Sequence, residues 1–391
     1  MIRRHLSPVL PLMLVLSLLL LSGCAAERTP LVSANVVEAL SVADATGYAR
    51  AFEPIEFEFP RDHGPHPEYR TEWWYYTGNL VAENGDEYGY QLTFFRSALT
   101  PSMPERLSTL ASNQIYMAHF AVSSAPEERH FSFDRYSRGA GGLAGAQGEP
   151  TFGVWLEEWS ARASTPGVVT LHAQAEHESG SVTLDLEVRE TRPILLHGDR
   201  GLHQKGPEAG NASFYYSQVG LETRGTITTP AGSVAVTGKS WMDREFGTSA
   251  LSQGTLGWDW FSLQLQNGAA LMLYVLRTED NALAPEVEGT LLLADNRVVK
   301  LSGRDFTISS TETWRSPVSG ATYPSAWTIS VPSQDLALAI TTPIADQEMD
   351  VQFVYWEGMV RAEGTMGGAP VSGRGYVELT GYGQAAGQYQ R

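Results

Sequence analysis

The sequence predicts an antiparallel all-β protein built as two tandem β-barrels, and three observations carry that prediction. Apolar and polar residues alternate with a period of two along much of the chain from Phe52 onward. Ser181–Val188 is the cleanest run, and Trp260–Gln266 and Trp327–Val331 repeat the pattern. Turn pairs punctuate the runs at Asn84-Gly85, Ser179-Gly180, Asn267-Gly268 and Asp295-Asn296. The Asn-Gly pairs suit type I′ turns, in which both central residues take positive φ. Helical periodicity is scarce; Asp335–Ile340 is apolar but short and runs into Pro343.

In chain order, Arg3 and Arg4 precede an apolar run from Val9 to Leu21. That run is too short to cross a bilayer comfortably, so residues 1–23 read as a signal peptide. Leu21-Ser22-Gly23-Cys24 resembles the bacterial lipobox, in which the cysteine is acylated and becomes a lipid anchor. Each buried methylene of such a chain contributes ~0.8 kcal/mol to membrane binding. Ala25 rather than an acidic residue follows, which by resemblance to sorted lipoproteins implies the outer membrane, facing the periplasm. Cys24 is the only cysteine, excluding an intramolecular disulfide. Residues 24–51 read as a tether, 52–240 as the N-terminal barrel domain and 241–391 as the C-terminal one. Two hairpins support the tandem reading: each has paired aromatics, an Asn-Gly turn and an apolar strand closing on an arginine, Arg96 or Arg277. Antiparallel barrels can enclose a ligand. The stretch Gly139–Gly145 reads as a mobile loop suited to a lid.

The net charge of −17, with Lys205, Lys239 and Lys300 as the only lysines, argues against nucleic acid as a partner. Ten Trp, sixteen Tyr and fourteen Phe supply rings for large cores and pockets. A Gly-x-Ser-x-Gly elbow, a phosphate-cradling glycine loop and His-Glu-x-x-His are all absent. His63 with His66 and His172 with His177 are the close histidine pairs; lacking cysteine partners, they read as loop histidines on the surface. No metal and no cofactor are expected.

Two clusters set ionisable groups against large rings. In Trp241-Met242-Asp243-Arg244-Glu245-Phe246-Gly247, a strand would point Trp241, Asp243 and Glu245 to one face and Met242, Arg244 and Phe246 to the other. One reading pairs both carboxylates with arginines at the barrel junction. The other buries a carboxyl beside Trp241, raises its pKa and makes it an acid for an alkene or carbonyl. In Glu72-Trp73-Trp74-Tyr75-Tyr76, residues Glu72, Trp74 and Tyr76 share one face, and either that cluster lines a cavity or Glu72 pairs with Arg70 or Arg96.

These motifs, with Tyr355-Trp356-Glu357-Gly358 and Gly375–Tyr382, resemble the carotenoid 1,2-hydratase and AttH-like proteins of tandem lipocalin-like domains. The resemblance implies two calycin-type barrels with a ligand in or between them. It also implies that Asp243 protonates an isoprenoid double bond to which water adds. The upstream His-x-Trp of those enzymes has no histidine counterpart in Ser213-Phe214-Tyr215-Tyr216. The expectation is a membrane-tethered periplasmic protein that binds an apolar or amphipathic, isoprenoid- or lipid-like molecule and performs acid-assisted hydration or isomerisation on it. Asp243 is the expected acid, Glu245 the group orienting water, and Trp241 and Trp74 the cation-stabilising walls. Glu72, Trp73, Trp74, Tyr76, Tyr216, Trp258, Trp356 and Glu357 are the expected ligand contacts. A true hydratase of isoprenoid double bonds, or a non-catalytic factor of an envelope ABC transport system, are the alternatives.

Overall fold

The computed structural model describes residues 45–102, 108, 111–249, 254–278 and 287–382. The signal segment, Cys24 and most of the tether lie outside them. Within the described residues the protein is all-β, with short 3-10 turns at Arg61–His63 and Pro332–Gln334. Two large antiparallel sheets form, one nearly barrel-shaped and one a half-barrel.

The first sheet has thirteen strands. From one edge it runs Arg129–Arg138, Gln114–Ser124, Glu87–Ala98, Thr71–Ala82, Gly232–Gly247, Ala212–Thr229, Gly180–Arg189 and Val168–His177, then the short strands back to Ala144–Gln147. The second has ten and places Thr255–Leu265 beside Ala369–Leu379, with Tyr355–Met366 next. Gly232–Gly247 pairs wholly within the first sheet, so the change of sheet falls after Gly247 and not at residue 240.

Alternation decides which side chains enter each core. In Gly180–Arg189, Val182, Leu184, Leu186 and Val188 are buried, as a half-buried strand requires. Trp74, Tyr76, Leu92, Phe94 and Trp159 fill the first barrel, and Phe261, Trp327 and Trp356 fill the second. The Trp356 ring folds over its own strand at Gly358, where a Cβ would come within 2.0 Å of the indole. A third cluster, including Tyr75, Tyr215, Trp241, Trp260 and Met272, lies between the outer faces of the two sheets. Glu87 binds both Arg361 and Arg374 across that junction.

Two local expectations change. Gly85 and Gly268 have positive φ, but Asn84 and Asn267 do not. Each asparagine side chain accepts the N–H two residues on, at 3.0 Å, which holds it in an ordinary conformation. The turns are therefore right-handed turns closed by a glycine bulge, not type I′. The Gly139–Gly145 stretch is not a free loop either: Gly141 and Gly142 make a positive-φ turn, and Ala144–Gln147 pairs with Gly153–Leu156.

Candidate active site between the sheets

Strand register builds the site. Directly paired residues project to the same face, so each cross-strand row is a line of neighbours. One row on the outer face of the first sheet runs Ser217, Asp243, Tyr75, Thr93 and His119. The next runs Tyr215, Glu245, Trp73, Phe95, Met117 and Tyr136. On the second sheet Tyr274, Trp260, Glu378 and Glu357 form a row. Between these faces lies a cavity of about 300 Å³, walled mostly by rings and reached also by Lys205, Trp258, Phe353 and Tyr355.

Asp243 lines this cavity and is 4% exposed. The Tyr215 hydroxyl donates to its Oδ2 at 2.5 Å. Its Oδ1 accepts the Ser217 hydroxyl and, at 2.6 Å, the Trp241 indole N–H. Trp260 donates to Tyr215 Oη at 3.0 Å. Behind Ser217, His197 Nε2 lies 2.6 Å from Oγ, and its Nδ1 lies 2.9 Å from Thr290 Oγ1 of the second sheet. Burial pushes Asp243 up to about 7, outweighing the three donors, and Glu245 adds to the rise. Among the described residues Asp243 makes no ion pair. The carboxyl therefore exchanges a proton near neutral pH, which is the property a general acid needs.

Its neighbours divide the charge. Glu245 Oε1 accepts the Ser213 hydroxyl at 2.6 Å and the Lys205 ammonium at 2.8 Å. Lys205 Nζ stands 4.5 Å from the Tyr274 ring and 5.3 Å from that of Tyr215. Burial pushes Glu378 up to about 8 against a Trp258 hydrogen bond, with Asp243 and Glu245 adding to the rise. Glu357, fully buried, accepts the Tyr75 hydroxyl at 2.8 Å, and burial followed by the charge of Glu378 holds it well above the usual carboxylate range.

Of the residues expected from the sequence, Asp243, Glu245, Trp73, Trp258 and Glu357 meet at the cavity. Glu72 touches its edge, but its carboxylate is committed to Arg96, Arg244 and the His66 N–H at 3.1 Å. Trp74 and Tyr76 do not line the cavity; strand parity turns them into the first barrel, where Trp74 covers Arg244 at 4.1 Å. Tyr216 faces that interior too, donating to Asp62 O at 3.1 Å. Trp356 belongs to the second core, its N–H on Ala345 O at 3.0 Å. Trp241 is not a cavity wall but a donor to Asp243, and the walls are Trp73, Trp258 and Trp260. Among the described residues no arginine pairs with Asp243 or Glu245. His63 and His66 are packed, with His66 stacked 3.6 Å from Phe246. Among the described residues no group of three or more His, Cys, Asp or Glu is placed to hold a metal.

Sequence reasoning missed Tyr75, Tyr215, Ser217, His197, Lys205, His119 and Glu378. The period-two rule carried the signal for two of them: Tyr215 and Ser217 have one parity, and Ser217 lies opposite Asp243. His197 and Lys205 come from a separate irregular stretch, and no spacing in the chain announces where they land.

Residues 50–382 match the AttH-like family. An AttH protein of Nitrosomonas europaea has 32% identity and a TM-score of 0.75, over 85% of this chain and 99% of its own. The structure of kievitone hydratase from Nectria haematococca shares the fold, with 16% identity and a TM-score of 0.64 over 84% of this chain and 93% of its own. Among curated relatives, a kievitone hydratase of Fusarium solani is 22% identical over 51% of this chain and 57% of its own. The dehydratase asqC of Emericella nidulans is 23% identical over 55% of this chain and 62% of its own. The chain thus spans little more than half the length of those two. The extent of the first match, and the likeness to the Nitrosomonas europaea protein, lead to one conclusion: the chain belongs to the AttH-like family.

Proposed function

We propose that this protein adds water to, or removes it from, a carbon–carbon double bond of an apolar or amphipathic, isoprenoid- or lipid-like small molecule held between the two sheets. One observation carries the reading: a buried, uncompensated carboxyl, Asp243, forms part of a ring-walled cavity. Its two curated relatives, named a hydratase and a dehydratase, support the reaction class.

The chemistry follows from the groups present. Protonated Asp243 donates its proton to one alkene carbon, leaving a cation on the other. The faces of Trp73, Trp258 and Trp260 stabilise that cation. Glu245, fixed by Ser213 and Lys205, orients the attacking water. Water's oxygen bonds to the cation, and the proton it sheds returns to the Asp243 carboxylate. The sum is alkene plus water to alcohol, and the reverse path is dehydration.

We further propose lipid anchoring at Cys24 and a periplasm-facing outer-membrane site; this rests on the Leu21–Cys24 motif and on Ala25 after it. Loss of membrane partition in a Cys24→Ser protein is the expected result.

The test is native mass spectrometry of protein purified from its source cells, then incubation of any released ligand with the protein in heavy-oxygen water. Label in the ligand with wild type, reduced at least ~100-fold by Asp243→Asn, is expected. A retained ligand that never takes label would make the protein a carrier.

A further inference from the structure

The cavity has a second polar end that the chemistry above does not use. His119 lies in the same cross-strand row as Asp243, with Tyr75 and Thr93 between them. Three strand spacings of ~4.8 Å separate the two, or about 14 Å. His119 lines the cavity and is 1% exposed. Phe95 stands edge-on to its ring at 5.4 Å, and Phe353 tilts over it at 6.3 Å.

The hydrogen bonds at this end fix which ring nitrogen carries the proton. His119 Nδ1 is 2.7 Å from Tyr355 Oη, and that oxygen accepts the Gln91 side-chain N–H at 3.4 Å. Among the described residues the Tyr355 hydroxyl proton has no acceptor other than Nδ1, so the phenol donates to that nitrogen. Burial alone acts on the imidazole and pushes it down to about 3, so the ring is neutral and its remaining proton sits on Nε2. Among the described residues His119 Nε2 has no partner. Glu357, two residues on from Tyr355 and lining the same cavity, accepts the Tyr75 hydroxyl at Oε2, and among the described residues its Oε1 has no partner. Unpartnered buried polar atoms are costly, and a partner restores that loss.

We infer that this end recognises a neutral acceptor oxygen on the ligand, a hydroxyl, carbonyl or ether, through the His119 Nε2–H, with Tyr355 positioning the ring. Among the described residues no charged side chain acts on His119, which disfavours a carboxylate or phosphate there. Resting on the proposed function, this narrows the ligand class. It is an elongated neutral molecule with its reacting double bond at the Asp243 end and an oxygen at the other.

Two rigid rods test this, trans-stilbene and trans-4-hydroxystilbene, titrated into the full-length protein with quenching of tryptophan fluorescence as the readout. Wild type should bind the hydroxylated rod about tenfold more tightly. His119→Leu should bring the ratio to near one, and His119→Gln should keep several-fold of it. Tyr355→Phe, which preserves shape, should also lower the ratio, and it decides the matter if His119→Leu does not fold. Equal binding of both rods by wild type, or a ratio that survives both His119→Leu and Tyr355→Phe, overturns this inference alone. Binding of neither rod overturns the apolar-cavity reading as well.

Discussion

Glu72 and Asp243 sit on adjacent strands of one sheet, both buried, and they have opposite fates. Glu72 faces the first barrel's interior, where burial would raise its pKa. The Arg244 charge, the His66 bond and Arg96 reverse that and hold it at about 2. Asp243 faces the junction, where burial acts against neutral donors only and leaves it at about 7. Equal burial therefore predicts nothing by itself; the presence or absence of a cation decides between a structural carboxylate and a chemical acid. Parity on the strand decides which company each keeps.

The largest effect should come from breaking the structural member. Arg244→Met leaves Glu72 half-paired in a dry interior, and denaturant unfolding should show a loss of about 3–5 kcal/mol. Asp243→Asn should leave the fold intact by the same measurement.

Next come opposite responses of stability to pH. Between about pH 4 and 7 the native state keeps the Asp243 proton that the unfolded chain has released, so stability falls as pH rises through this window. The total is on the order of 4 kcal/mol. Between about pH 4.5 and 2 the unfolded chain takes up a proton that native Glu72 refuses, so stability falls as pH drops, by about 3 kcal/mol in all. Asp243→Asn should reduce the first slope, to which buried Glu378 and Glu357 also contribute, and Glu72→Gln the second, in unfolding free energies measured across pH. Parallel slopes in wild type and Asp243→Asn would refute the assignment of Asp243 as a protonated carboxyl.

The smallest effects sharpen the acid itself. Turnover should decline about tenfold per pH unit above a midpoint near 7, as the acid form is lost. The Tyr215 hydroxyl stabilises the ionised form, so Tyr215→Phe should move that midpoint upward by about one unit in the pH–rate profile. A midpoint that stays in place would show that Tyr215 does not bear on the acid.

Alternation along Ser181–Val188 and the Asn-Gly turns made the strands readable, and the shared parity of Asp243 and Glu245 made one wall of the cavity readable. Other assignments failed for a common reason. Trp74, Tyr76, Tyr216 and Trp356 are large rings beside ionisable groups, as Trp73 and Trp258 are, and ring size does not say which face is core. The Gly139–Gly145 stretch has composition suited to a loop, yet pairing by Gly153–Leu156 draws part of it into a strand.

By itself the sequence determined the strands, the family and the parity of each side chain, because period-two geometry and turn chemistry are local properties of the chain. Only the tertiary structure decided which face of each strand meets the other sheet, and so brought Glu378, Glu357 and Lys205 up to Asp243 from distant segments. Desolvation and charge pairing depend on neighbours in space. The acidity of Asp243 is therefore a property of the assembled junction and not of the residue.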